Sequence, residues 1–210
     1  MGCIGGRARL GRSAKPQAAI IMKHAFKEWA VICKALAEGK QALILRKGGI
    51  DEPDGDFRLE HTRFWLLPTY THQQQDGIRN EARPWLKDVE AARPPAGTLR
   101  ISHFAEVTGV YHVHELAPAM ILAHLHFWAD AVVEKRFAYR APGIYVMPVR
   151  VYRARDVFEL PDSAYYQGCR TWVELERDLP TEGAVPVLSD REMEDVHRSL
   201  DLLLNPTALA

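Results

Sequence analysis

Apolar positions in HAFKEWAVICKALAEGK fall at Phe26, Trp29, Cys33 and Leu36, the three-to-four-residue spacing of one helical face. That spacing predicts a helix over residues 25–38. Gly39 stops it, because glycine enters the left-handed conformation without a Cβ clash. QALILR follows as a short unbroken apolar run, the signature of a buried strand over residues 41–46. RFWLLPTY reads as a second strand, with Pro68 near its end. Residues 73–98 are polar and broken by prolines, with a short helix expected around residues 77–92 and a stop at Pro94-Pro95. LRISHFAEVTGVYHVHEL then alternates. Ile101, Ala105, Val107, Tyr111 and Val113 are expected on one face and Ser102, Glu106, Thr108, His112 and His114 on the other, with Gly109 marking a bulge.

Pro118 sits where the first turn of a helix tolerates it, and Ile121, Leu125, Trp128 and Val132 continue one stripe to about Phe137. GIYVMPVRVYRA is another strand, with Tyr145, Met147, Val149 and Val151 sharing a side. An irregular region follows. The last helix, over residues 190–204, has the clearest start: Ser189 and Glu192 have the spacing of a capping box, and Met193, Val196, Leu200 and Leu203 form its apolar face. Strands and helices do not alternate regularly, which disfavours a doubly wound parallel sheet. The order predicts an α+β fold, a curved or barrel-like mixed sheet with flanking helices.

Composition changes this picture little. The chain has 210 residues, 47% of them hydrophobic, enough for a sizeable core. No apolar run approaches the ~18 residues of a membrane span. Cys3, Cys33 and Cys169 are odd in number, widely spaced and outside any C-x-x-C pattern. That argues against a disulfide framework or zinc ribbon and for a reducing, cytoplasmic setting. Residues 1–21 carry four cations and no acid and lack the apolar core of a secretory signal. They are expected to be a disordered tail or a mis-called upstream start, with residues 22–210 forming one domain. Net charge is zero but uneven: residues 22–50 hold six Lys/Arg against two Glu, and residues 172–210 hold nine acids against three Arg. The first of these segments is read either as a local basic surface or as ordinary solvated helix faces.

Candidate chemistry is of three kinds. ALILRKGGIDEPDGDF ends an apolar strand with Arg46, Lys47, Gly48 and Gly49, whose guanidinium, ammonium and backbone N–H groups suit a phosphate; no P-loop pattern is present. The same cations, alternatively, pair with Asp51, Glu52, Asp54 and Asp56, which follow as a solvated loop. These acids with Glu60 and His61 suit a hard cation. A restriction-nuclease reading fails at the position where Glu60-His61-Thr62 lacks the required lysine. His112 and His114, two apart in a strand, share a face with Glu106 and are the candidate transition-metal ligands, whereas His124 and His126 diverge on a helix. Cys169 beside Arg170 has no identifiable base, and Tyr165, Tyr166 and Trp172 suit either core packing or base stacking. No cofactor motif is present, and none is expected.

Several strings together, HAFKEWAVICKALAEGKQALILRKGGI, GDFRLEHTRFWLLPTYTHQ, VRVYRARDVFELPDSAYYQGCRTWVEL and VLSDREME, resemble the bacterial domain-of-unknown-function 1802 family over about residues 22–204. Association of some relatives with a restriction-endonuclease-type domain implies a role near DNA restriction. The helix–Gly39-Lys40–strand–Arg46 opening is similar to that of PUA-like barrels of the ASCH type. That resemblance implies a cleft for RNA or modified nucleic acid beside the first strand, lined by Lys40, Arg46 and Lys47. With Gly48, Gly49, Arg150 and Trp172 these make the expected nucleic-acid-binding set, and the acidic segment becomes a lid or strand mimic. The resulting expectation is a cytoplasmic, nucleic-acid-associated module, accessory to a restriction-modification system and binding DNA or RNA. Its rivals are a metal-dependent, nuclease-like enzyme using His112, His114 and some of the loop carboxylates, and a protein-interaction module without a ligand cleft.

Overall fold

The computed structural model describes residues 21–47, 59–71, 73–168 and 170–204. Its elements are β1 (Ile21–Trp29), α1 (Ala30–Ala37), β2 (Leu43–Arg46), β3 (Arg63–Thr69), α2 (Pro84–Ala91), β4 (Thr98–Val107), β5 (Tyr111–Val113), α3 (Leu116–Ile121), α4 (Asp130–Ala138), β6 (Ile144–Pro161), β7 (Trp172–Pro180), β8 (Val185–Pro186) and α5 (Asp190–Leu204). Among the described residues, eight strands form one mixed sheet in the order β2-β6-β4-β3-β1-β7, with β5 and β8 also paired to β6. Of these pairings only β1–β3 is parallel. The architecture is therefore α+β, a mixed sheet flanked by helices.

The central strands are apolar on both faces, so alternate residues feed two cores. Phe26, Phe64, Leu66 and Ala105 pack with α1, β2 and Trp128. Ala25, Trp65, Leu67 and Phe104 pack on the other side with Val173, Leu175 and Leu179. This explains the unbroken apolar runs of LILR and FWLL, because a two-sided strand leaves no polar phase. Leu43, Ile44 and Leu45 are all buried, as the sequence predicts.

Several expectations fail, each for a local reason. Residues 25–29 are strand, not helix: β1 pairs β3 on one edge and β7 on the other, and the helix begins only at Ala30. Ladder bonds on both edges outweigh a weak helical period. The helix expected from Pro118 to Phe137 breaks in two. Residues 126–129 are held extended because Phe127 N donates to Gln41 Oε1 (3.0 Å), Arg79 N donates to Phe127 O (2.9 Å) and Trp128 N donates to His126 Nδ1 (3.2 Å). Ile121 accordingly faces solvent while Leu122 is buried. The helix expected over residues 77–92 is confined to Pro84–Ala91, after a short 3₁₀ turn at Asn80–Ala82. In β4, the register steps from Ile101↔Phe158 to His103↔Arg153, so β6 runs five residues while β4 runs two. That bulge shifts the phase: Ile101 joins Phe104 in one core and Ala105 the other. Gly109 lies in the β4–β5 turn instead. The region read as irregular contains β7.

Both helix signals hold. Gly39 has φ +68°, and Gly39 N and Lys40 N bond back to Leu36 O and Ala35 O. Ser189 N and Oγ each donate to Glu192 Oε2 at 2.7 Å, and Glu192 N donates to Ser189 Oγ at 3.3 Å, closing the capping box on α5.

A basic cleft beside the first strands

The C-terminal end of β1 places Lys27, Glu28 and Trp29 beside the end of β3, where the chain continues through Thr69, Tyr70 and Thr71. Residues 93–100, 166–168, 170 and 171 line the rest of the site, leaving a cleft of about 400 Å³. Lys27, Arg46, Arg93, Arg100, Arg136 and Arg170 line it, against only Glu28 and Asp162 among the described residues. Those two acids are engaged: Glu28 with Arg46, and Asp162 with Gln167 Nε2 at 3.2 and 3.3 Å.

The cleft has a buried floor and an exposed rim. Glu28 is 3% exposed. Its Oε1 accepts from Trp29 N (2.8 Å), and Arg46 Nη2 stands 3.4 Å from its Oε2. Arg46 also donates to Lys27 O at 2.6 Å and lies over the Phe26 ring at 4.4 Å. Arg136 reaches the same floor from α4, over the Trp128 ring at 3.7 Å, with Nη1 donating to Leu45 O at 3.3 Å. Burial pulls its pKa down to about 10, with Glu28 opposing that shift and Arg46 reinforcing it. Burial, with the Glu28 charge adding to it, also drives the Cys33 thiol well above its ordinary range, so it is an inert core thiol. At the rim, Arg93, Arg100 and Arg170 are exposed. Arg93 covers the Tyr70 ring at 4.9 Å and pairs with Glu90; Arg100 pairs with Glu159; Arg170 lies over Tyr165 at 5.7 Å. Lys27 Nζ donates to Tyr166 O and Gly168 O, both at 2.7 Å, tying β1 to the far wall.

Of the residues singled out from sequence, Arg46 lies in this cleft. Lys47 points the other way from the strand end, its Nζ on Ala141 O at 2.6 Å. Lys40 pairs with Glu38 at 2.7 Å and lies over Trp85 at 4.4 Å. Arg150 pairs with Asp190 at the start of α5. Trp172 packs edge-on against Phe26, Phe64 and His61. Gly48, Gly49, Asp51, Glu52, Asp54, Asp56 and Cys169 lie outside the described residues. Sequence reasoning passes over Glu28, Arg93, Arg100 and Arg136 and gives Arg170 no role of its own. Four of these five come from segments read as helix, polar connection or irregular chain. The one available signal is Glu28, a carboxylate that falls in phase with Phe26 once the segment is read as an alternating strand.

The histidine pair does come together, with His112 and His114 rings 3.9 Å apart and His112 stacked on Tyr145 at 4.1 Å. Glu106 does not join them. It is opposite Arg150 on β6, whereas His112 is opposite Tyr145, five residues away, or about 16 Å at ~3.3 Å per residue. Among the described residues no three His, Cys, Asp or Glu gather as a metal site. A second, mostly apolar pocket of about 250 Å³ lies between α1, α2 and β4, where Ser102 Oγ and His103 Nδ1 are 2.9 Å apart. Burial pulls the His103 pKa down to about 4. Among the described residues no helix is long and apolar enough to cross a membrane.

No curated protein sequence matches the chain. Among solved structures, a serine-to-alanine mutant of the ASCH protein from Zymomonas mobilis is similar at 12% identity and a TM-score of 0.43, covering 84% of this chain and 94% of its own. The ASCH protein from the same organism gives 11% identity and a TM-score of 0.39, over 83% of this chain and 93% of its own. The family model for the domain of unknown function DUF1802 matches residues 25–199, and the chain belongs to that family.

Proposed function

We propose that the protein is a nucleic-acid-binding module that takes single-stranded DNA or RNA into the cleft beside β1 and β3. The observation that carries this reading is the charge of the cleft wall, six cations against two acids, with Arg93 and Arg100 held only by the exposed acids Glu90 and Glu159, which a phosphate can displace. Exposed guanidiniums at the rim suit phosphate oxygens, which arginine binds with a planar fork. Trp29 and Tyr70 add aromatic surface within the same wall, the combination used for single strands. The nuclease-like reading draws on His112, His114 and the loop carboxylates Asp51, Glu52, Asp54 and Asp56, which lie outside the described residues; of its ligands within them, Glu106 stands a sheet register away from the histidines.

The test is fluorescence anisotropy with labelled single-stranded oligonucleotides at several salt concentrations. Each phosphate neutralised contributes about 0.7 to the log–log salt slope. Replacing Arg93 and Arg170 together by Ala is expected to lower that slope by about 1.4, two contacts at that value each, while leaving the fold intact in a melting curve. Salt-independent binding, or none at micromolar protein, overturns the reading. A cytoplasmic restriction-endonuclease-type partner, implied by the family resemblance, belongs to the same proposal, and co-purification from the native host tests it.

A further inference from the structure

The cleft floor carries a charge imbalance that the rim does not. Arg46 pairs with Glu28 at 3.4 Å, and Arg136 lines the same cleft beside them, bonded to Leu45 O one residue before Arg46. Two guanidiniums against one carboxylate leave one positive charge in excess at the floor. Like charges held close in a low dielectric repel, and desolvation adds to that cost. The depressed Arg136 pKa is the consequence of that setting, not its cause. Both guanidiniums are stacked on rings, Arg46 on Phe26 and Arg136 on Trp128. Arg46 spends Nη2 on Lys27 O and Glu28 and buries an unpartnered Nε, while Arg136 spends one of its five donors on Leu45 O, so the remaining N–H groups are the ones left for a ligand.

From this geometry we infer that the floor formed by Arg46 and Arg136 is a receptor for a phosphate monoester, the terminal phosphate of a bound strand. The inference rests on the cleft being the nucleic-acid site. A monoester carries about −1.5 to −2 charge and three acceptor oxygens, more than an internal phosphodiester offers. Position favours the same ligand. Glu28, Trp29, Arg46 and Arg136 line the less exposed end of the cleft, whereas Arg93, Arg100 and Arg170 are exposed. An internal phosphate has chain on both sides and would have to thread a loop into that end. A terminal phosphate enters once, with the strand leaving over the rim.

The experiment compares one labelled oligonucleotide bearing a 5′-phosphate, a 3′-phosphate or only hydroxyl ends, with inorganic phosphate as competitor. Binding of one phosphorylated end is expected to be at least about tenfold tighter than the hydroxyl form, the equivalent of one added charge-assisted hydrogen bond. Millimolar inorganic phosphate is expected to erase that preference and leave the hydroxyl form bound. Arg136→Gln is expected to abolish the preference; because that variant risks misfolding, Arg136→Lys, which keeps the charge and loses the fork, is expected to reduce it with the melting temperature intact. Equal affinity for all three ends overturns the inference and leaves the cleft as a strand-binding site. Inorganic phosphate that binds more tightly than any strand end also overturns it, by making the free anion the ligand. If no strand binds while phosphate still raises the melting temperature through Arg136, the nucleic-acid reading fails and this inference fails with it, leaving an anion site alone.

Discussion

Replacing Arg46 by Ala separates a structural arginine from a surface one. Its side chain is 17% exposed and that of Glu28 is 2% exposed, with Nη2 and Oε2 3.4 Å apart. At that distance two unit charges attract by about 5 kcal/mol at an effective dielectric of ~20, and by only about 1 kcal/mol in bulk water. Removing Arg46 leaves the Glu28 carboxylate buried without its ion-pair partner. The stack on Phe26 and the bond to Lys27 O go as well. Breaking a buried pair from one side costs about 3–5 kcal/mol. Urea denaturation followed by tryptophan fluorescence measures this directly. Glu28→Gln in the Arg46→Ala background removes the stranded charge, so the double variant is expected to be no less stable than the single one. A loss under about 1 kcal/mol, the value of an exposed pair, or strictly additive losses in the double variant, would refute the reasoning.

Acid is expected to destabilise the fold through His126. Burial and the neighbouring arginines hold its pKa at about 4 against an ordinary 6.5. The unfolded chain therefore binds a proton first, and stability falls as pH drops from about 6.5 to 4, by on the order of 3 kcal/mol. His126→Asn, which can keep an acceptor for Trp128 N, is expected to flatten that part of a stability-versus-pH curve; an unchanged slope would remove His126 from the account. Ser189→Ala opens the capping box and should cost about 1 kcal/mol in thermal unfolding, so an unaltered melting temperature would argue against the α5 start. Gly39→Ala meets both an unfavourable φ of +68° and a Cβ contact of 2.7 Å with Leu188 Cδ2, and is expected to cost at least about 1 kcal/mol by the same measurement.

The pattern of the chain made the architecture legible where one signal dominated. LILR and RFWLLPT carry buried residues on both faces, and each is too short and too continuously apolar to read as an amphipathic helix. The α5 start is written in two side chains three residues apart. Where a segment satisfies two periods, long-range pairing decides, and sequence spacing does not see it. HAFKEW is compatible with a helix, yet β3 and β7 claim it as a strand. The cleft was half visible for the same reason. Arg46 stood out because it ends an apolar run beside glycines. Glu28 was hidden inside the misread helix, and Arg136 lies far along the chain in α4. Arg93, Arg100 and Arg170 come from three separate segments that only the sheet order brings to one rim. Charge convergence of that kind is a property of topology, not of any window of sequence.

The most direct test of the account is a backbone ¹H–¹⁵N titration of the protein with a short 5′-phosphorylated single strand at low salt. The cleft reading predicts that shifts concentrate at residues 27–29, 46, 69–71, 93, 96–100, 136, 168, 170 and 171, and that they collapse as salt is raised. Shifts centred on His112 and His114, or spread evenly over the surface with no saturation, would contradict it.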